Sequence, residues 1–208
     1  LQSKKINTSN LDASKYRFNQ NDLNNEDCSN LDIQNIFTKL IASERPVFLL
    51  GTGCVIDGCN QDFIETFIDL FKIPVANSWG SIELIQDQNQ FYIGRPGVVG
   101  KRTANILISN ADLILSIGNR IDLITSAYAP EKFGSQAKDF LVVDIDNKEL
   151  KRHLLQGKKV LKMGAKKFIK EISQMAKNNL DEIQKRSAKK KEWINFFKEI
   201  RNKYSSKN

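Results

Sequence analysis

Histidine is nearly missing from this 208-residue chain, with His153 the only one. Reactions built on an imidazole base therefore have one candidate. It sits in Glu149-Leu-Lys-Arg-His-Leu, which reads as a surface turn, and no Ser–His–acid arrangement accompanies it. Cysteine is almost as scarce. Cys28, Cys54 and Cys59 cannot all pair, so the chain reads as reduced and cytoplasmic rather than as a disulfide framework. Cys54 and Cys59 lack the second Cys/His pair that zinc ligation needs, and Cys54 reads as a small buried residue. No apolar run reaches the ~18 residues of a membrane span, and no secretory signal opens the chain. There is no G-K-[S/T], which excludes a P-loop nucleotidase. Gly51-x-Gly53 continues into Cys54-Val-Ile56 without a third glycine, and no acid follows the second strand to hold a ribose. The dehydrogenase-type fingerprint is therefore weak.

What is present is globular composition, 40% hydrophobic and 27% charged, at a length that suits one domain with extensions. The net charge of +8 is unevenly spread. Residues 158–208 hold 16 of the 32 Lys and Arg against five acids, and the rest of the chain holds 16 basic and 19 acidic groups. The basic residues fall on helical patterns with few aromatics among them, so they read as a solvated helix face and not as a specific nucleic-acid surface. The first residue is Leu1, which reads as a fragment of a longer polypeptide.

Residues 1–30 are polar, rich in Asn, Ser and Asp, and read as a linker. A helix is expected from Asn30, a good cap residue, with Ile33, Ile36, Phe37, Leu40 and Ile41 on one face. Pro46–Leu50 suits a buried parallel strand. Phe63, Ile64, Phe67, Ile68 and Phe71 mark a second helix, and 72–76 a short strand whose Pro74 places it at a start or an edge. Ala104, Ile106, Leu107 and Ile108 mark a helix opened by a Gly-rich turn. Strands follow over 112–117 and 140–144, with a short last one at Val160-Leu161 and a helix carrying Phe168, Ile172 and Met175. Strands alternating with helices predict an α/β fold, a three-layer parallel sheet with helices on both faces, of Rossmann-like type.

Ligands of such sheets lie outside the carboxyl ends of the strands. Five Gly-rich or polar loops are expected there: Gly51-Thr52-Gly53; Ser78-Trp79-Gly80; Gly94-Arg95-Pro96-Gly97; Gly118-Asn119-Arg120 with Asp122; and Asp144-Ile145-Asp146. Glycines admit a ligand close to the backbone, and helix starts offer N–H groups to an anion. Arg95 and Arg120 are candidates to neutralise a diphosphate, and Asp144 or Asp146 to accept from a ribose hydroxyl or an adenine amine. Each loop alone is what an αβ turn needs anyway. The five together point to a site for an ADP-containing ligand, or to the remnant of one.

These loops, in this order, resemble the central domain of thiamine-diphosphate-dependent enzymes, the acetolactate (acetohydroxyacid) synthase branch in particular. The likeness runs through Arg45-Pro-Val-Phe-Leu-Leu-Gly-Thr-Gly53, Ser78-Trp-Gly-Ser-Ile82, Gly94-Arg-Pro-Gly-Val-Val-Gly-Lys-Arg-Thr-Ala-Asn105, Asp112–Asp122 and Val143–Leu150. It implies a middle domain of about six parallel strands over residues 31–176, with 1–30 a linker from a preceding domain and 177–208 a helical connector to a following one. It also implies that thiamine diphosphate and Mg2+ are bound by the outer domains of the parent, a homodimer or homotetramer that decarboxylates and ligates 2-oxo acids. The middle domain would be non-catalytic alone and would hold FAD, ADP or nothing. Neither the activating glutamate nor the Gly-Asp-Gly…Asn magnesium motif is found, Asp57-Gly58 being a poor imitation of the latter. Three positions depart from the family pattern: Gly164-Ala165 where Gly-Asp is common, Thr125-Ser126-Ala127 where Thr-Gly is common, and Gly94–Gly97 in place of a Gly-Met-His-Gly loop. All three speak against FAD.

At the end of the chain Trp193, Phe197, Ile200 and Tyr204 share one helical face. The stripe needs a partner. It reads as a connector lying against a neighbouring domain or subunit, with docking on its own core as the alternative. Two other functions stay open: a free-standing nucleotide-binding α/β module, which as a deacylase-like enzyme would need His153 in the pocket, and a basic nucleic-acid-binding protein.

Overall fold

A computed structural model describes residues 29–204. Its frame is a six-stranded sheet, all parallel, in the order β3-β2-β1-β4-β5-β6. The strands are β1 (Pro46–Leu50), β2 (Val75–Asn77), β3 (Tyr92–Gly94), β4 (Leu113–Ile117), β5 (Asp139–Asp144) and β6 (Lys159–Lys162). β1 and β4 are buried along their whole length, as near-continuous apolar runs covered on both faces must be. The Asp112 carboxylate accepts the N–H groups of Glu44 and Arg45 at 2.9 and 2.8 Å, locking the starts of these two strands together.

Helices cover both faces. α1 (Ile33–Ala42) and α3 (Gln61–Phe71) pack with α6 (Ala165–Asn178), while α4 (Arg102–Asn110) packs with α8 (Lys191–Tyr204). Right-handed crossovers put α3 and α4 on opposite sides of the sheet, because the chain moves outward from β1 to β3 and then back across to β4. α3 shows why the elements form where they do. Asn60 caps it by accepting the Phe63 N–H, its buried face is Ile64, Phe67, Ile68 and Phe71, and Lys72 ends it in the left-handed conformation at φ 53°. Phe67 and Phe71 close on Phe48 of β1 at ring-centroid distances of 4.7 and 5.7 Å.

Several expectations are corrected. Asn30 does not cap α1; Asp32 does, accepting the Asn35 N–H at 2.7 Å. Asn30 instead exchanges hydrogen bonds with Val160, and Ser29 Oγ accepts from the Lys162 N–H, so both lie along the outer edge of β6. The rest of the 1–30 segment, with Cys28, falls outside the described residues. The second strand runs over Val75–Asn77 rather than 72–76; Pro74 marks its start, not an edge, since β2 is internal. Tyr92–Gly94, to which no strand was assigned and whose Gly94 was expected in a loop, is the edge strand β3. His153 is not on a surface turn: it lies in α5 (Asn147–Leu155), fully buried. The C-terminal stripe meets this chain's own core. Trp193 and Phe197 are buried, and Trp193 Nε1 donates to the Pro46 carbonyl at 3.0 Å. Cys54 is buried as expected, and Cys59 with it; both are free thiols.

Candidate functional site at the switch point

The strand order reverses between β1 and β4, and in doubly wound sheets this is where a ligand crevice opens. A cleft of about 540 Å³ lies there. Of the residues expected to form the site, Thr52, Gly53, Ser78, Trp79, Gly118, Arg120, Asp122, Asp144, Ile145 and Asp146 line it. Gly51, Gly94, Arg95 and Gly97 do not. Gly80 and Asn119, which belong to the expected loops, line it too, and so do Ile56, Asp57, Thr125, Glu149, Gly164 and Ala165, which the sequence reading did not assign to the site.

The glycines serve chain crossing. A Cβ on Gly51 would meet the Gly118 carbonyl oxygen at 2.1 Å, and one on Gly53 would meet Gly118 Cα at 2.8 Å. The turn after β1 and the end of β4 thus close backbone to backbone, and Gly118 takes φ 57° to allow it. The Gly94–Gly97 loop does the same with its neighbours: a Gly97 Cβ would meet the Ile124 carbonyl oxygen at 2.1 Å. Asn105 on α4 clamps that loop by bonding both the N–H and the carbonyl of Gly97.

The two guanidinium groups are spent separately. Arg95 stacks over the Trp79 ring, 4.5 Å from its centroid. Arg120 pairs with Glu149 at 3.1 Å, and its side chain is 76% exposed. Arg152 pairs with the other oxygen of Glu149 at 2.6 Å and also donates to the Arg120 carbonyl. The segment carrying Arg120 and Asp122 is held by a backbone outlier, Ile121 at φ 51°, a conformation β-branched residues rarely adopt. Asn119 Oδ1 accepts the Ile121 N–H at 2.8 Å and fixes it there.

The acids have local duties. Asp122 accepts the Thr125 N–H, and Asp146 caps α5 through the Lys148 N–H. Asp144 accepts the Asp146 N–H at 3.0 Å. Burial nevertheless pushes the Asp144 carboxyl above its ordinary range, against the pull of that bond. Asp57 ends the short helix α2 (Thr52–Ile56) and accepts the Lys166 N–H at 2.7 Å, seated on the first turn of α6.

A nucleotide diphosphate does not fit this arrangement. It needs free N–H donors and positive charge. The N–H groups of Gly51, Gly53, Ser78, Gly118 and Lys166 all donate within the chain. Five carboxylates (Asp57, Asp122, Asp144, Asp146, Glu149) line the cleft against one guanidinium. Among the described residues no group of three His, Cys, Asp or Glu side chains could hold a metal ion. His153 lies beneath the cleft, bonded to the Asn119 backbone. Burial first, then the charges of Lys158 and Arg152, hold its imidazole down to about 3. It is a neutral core residue, not the exposed base a deacylase would need.

The sequence matches the family described as thiamine pyrophosphate enzyme, central domain, over residues 33–172. That covers more than half of the chain, which therefore belongs to this family. Among curated relatives, a probable acetolactate synthase large subunit of Methanococcus aeolicus is 32% identical over 118 residues, 56% of this chain and 19% of the relative. A probable chloroplastic acetolactate synthase 2 of Oryza sativa subsp. japonica is 30% identical over 161 residues, 74% of this chain and 24% of the relative. The acetolactate synthase large subunit of Lactococcus lactis is 27% identical over 97 residues, 47% of this chain and 17% of the relative. The chain thus spans between a sixth and a quarter of the length of these relatives. Its similarity is to the middle part of acetolactate synthase-like, thiamine-diphosphate-dependent enzymes.

Proposed function

We propose that this chain is the non-catalytic middle domain of a thiamine-diphosphate-dependent enzyme that decarboxylates a 2-oxo acid and transfers the resulting acyl carbanion equivalent. Thiamine diphosphate and its Mg2+ are held by the flanking domains. The middle domain spaces those domains and walls part of the substrate channel. Residues before 31 and the helices after 176 link it to them, and the assembled parent is a homodimer or homotetramer. Two buried, unpaired cysteines suit a reducing cytoplasm. Among the described residues no helix is long and apolar enough to cross a membrane.

One observation carries this reading. Of the eleven large apolar side chains exposed among the described residues, nine follow the carboxyl ends of strands. They are Ile56 after β1, Trp79 and Ile82 after β2, Val98 and Val99 after β3, Leu123, Ile124 and Tyr128 after β4, and Ile145 after β5. An apolar collar of this kind marks a surface meant to be covered. A middle domain whose matched part makes up a quarter or less of its relatives has neighbours to cover it.

The test is an activity pair. The 208-residue chain, given thiamine diphosphate, Mg2+ and pyruvate, should release no carbon dioxide. The full-length enzyme under the same conditions should. Turnover by the isolated chain, or none by the full-length enzyme with any small 2-oxo acid, would overturn the assignment.

A further inference from the structure

We infer that this cleft is closed to nucleotide diphosphates, because the Asp57 carboxylate occupies the place on the first turn of α6 where a phosphate would sit. The start of α6 is an anion-attracting point on the rim. The helix is 14 residues long, has no acid in its own first turn, and carries Lys166 and Lys167 there. A helix start of this kind concentrates unpaired N–H groups and the positive end of the dipole. Gly164 caps it without a side-chain bond.

Asp57 reaches that point from the other side of the cleft. α2 ends in a Schellman turn: the Cys59 N–H bonds the Cys54 carbonyl, the Gly58 N–H bonds the Val55 carbonyl, and Gly58 sits at φ 76°. The turn aims Asp57 at α6, where Oδ2 accepts the Lys166 N–H at 2.7 Å. Lys166 Nζ then donates back to the Gly58 carbonyl at 2.9 Å, closing the clasp. Gly164 leaves the room for it: a Cβ there would lie 3.0 Å from Asp57 Oδ2. A built-in carboxylate thus takes the donor and the charge that a diphosphate would use. Asp122, Asp144 and Asp146, which lie outside the Arg120–Glu149–Arg152 ion pairs, add repulsion to any anion that arrives.

The inference goes beyond the assignment of the domain and is tested without any catalytic assay. The chain is titrated with ADP and FAD at low ionic strength by isothermal calorimetry, with adenosine as the phosphate-free control. Neither nucleotide should saturate the wild-type chain up to about 1 mM. Asp57→Asn keeps a cap for Lys166 and removes the charge; Asp57→Gly vacates the position. Both should strengthen ADP binding by about tenfold or more over wild type, Asp57→Gly the more, with adenosine unchanged. Asp57→Asn serves alone if Asp57→Gly does not fold. Saturable wild-type binding of either nucleotide at micromolar concentration would overturn the inference. So would variants that fold, by circular dichroism, and gain nothing.

Discussion

Trp193 donates its indole N–H to the carbonyl oxygen of Pro46, 147 residues earlier in the chain, at 3.0 Å. The last helix is thereby fastened to the first residue of the central strand, and the ring stacks on Phe196 with centroids 5.7 Å apart. Trp193→Phe leaves that buried carbonyl without its donor and should cost about 1–3 kcal/mol. Trp193→Ala adds a cavity and should cost about 3–5 kcal/mol. Urea denaturation of the two variants measures both. Losses under about 0.5 kcal/mol would mean that α8 contributes nothing to the fold.

Gly51 and Gly58 are seven residues apart and should behave oppositely. A Cβ at Gly51 meets backbone at 2.1 and 2.4 Å, which cannot yield. Gly51→Ala should therefore abolish cooperative unfolding. At Gly58 the nearest atom to a Cβ is Lys166 Nζ at 3.5 Å. Gly58→Ala pays only for its left-handed backbone, about 1–2 kcal/mol. Thermal melts followed by circular dichroism separate the two cases.

His153 sets a pH dependence. Its folded-state imidazole titrates at about 3, and an unfolded one near 6.5. Between those values the unfolded chain binds the extra proton, so the contribution of His153 to stability falls as the pH falls through this window and is constant above about pH 7. From pH 7 to 4.5 the contribution should be about 2–3 kcal/mol. His153→Gln should flatten that part of the profile, whatever it costs at neutral pH. An unchanged slope would show that His153 is not the group responsible.

The apolar collar should matter only in the full-length enzyme. Val98→Ser with Val99→Ser changes side chains 61% and 70% exposed, and should move the stability of this chain by no more than about 0.5 kcal/mol. In the full-length enzyme the same pair should lower the melting temperature or weaken assembly, read by sedimentation. No change in either would place the collar outside the domain contacts.

The sheet was legible because its central strands are uninterrupted apolar runs. Pro46–Leu50 and Leu113–Ile117 leave a parallel, doubly covered position as the only way to bury both faces. β3 was not legible: Tyr92-Ile-Gly94 is too short for a periodic signal, and its glycine reads as loop. Asn30 misled because a cap residue and an edge-pairing residue are chemically the same; the aspartate two positions on took the cap. The rim loops were found by their glycines, but the glycines turned out to serve backbone crossing. Asp57 was the larger omission. Its role depends on a contact 109 residues away, and its one trace in the sequence is the alanine after Gly164, where an acid is common in this family. The direction of Arg120, toward Glu149 and away from a ligand, is a side-chain choice that no spacing reveals.

Ser29 and Asn30 run along the free side of β6, taking up the N–H groups of Val160 and Lys162 and the Val160 carbonyl. A strand margin left bare invites a second chain to add to it. An excision meant to isolate the folded unit should therefore retain these two residues. Trimming to residue 31, where the helical pattern suggests the boundary, would strip a selvedge from the sheet and give a product prone to sticking to copies of itself.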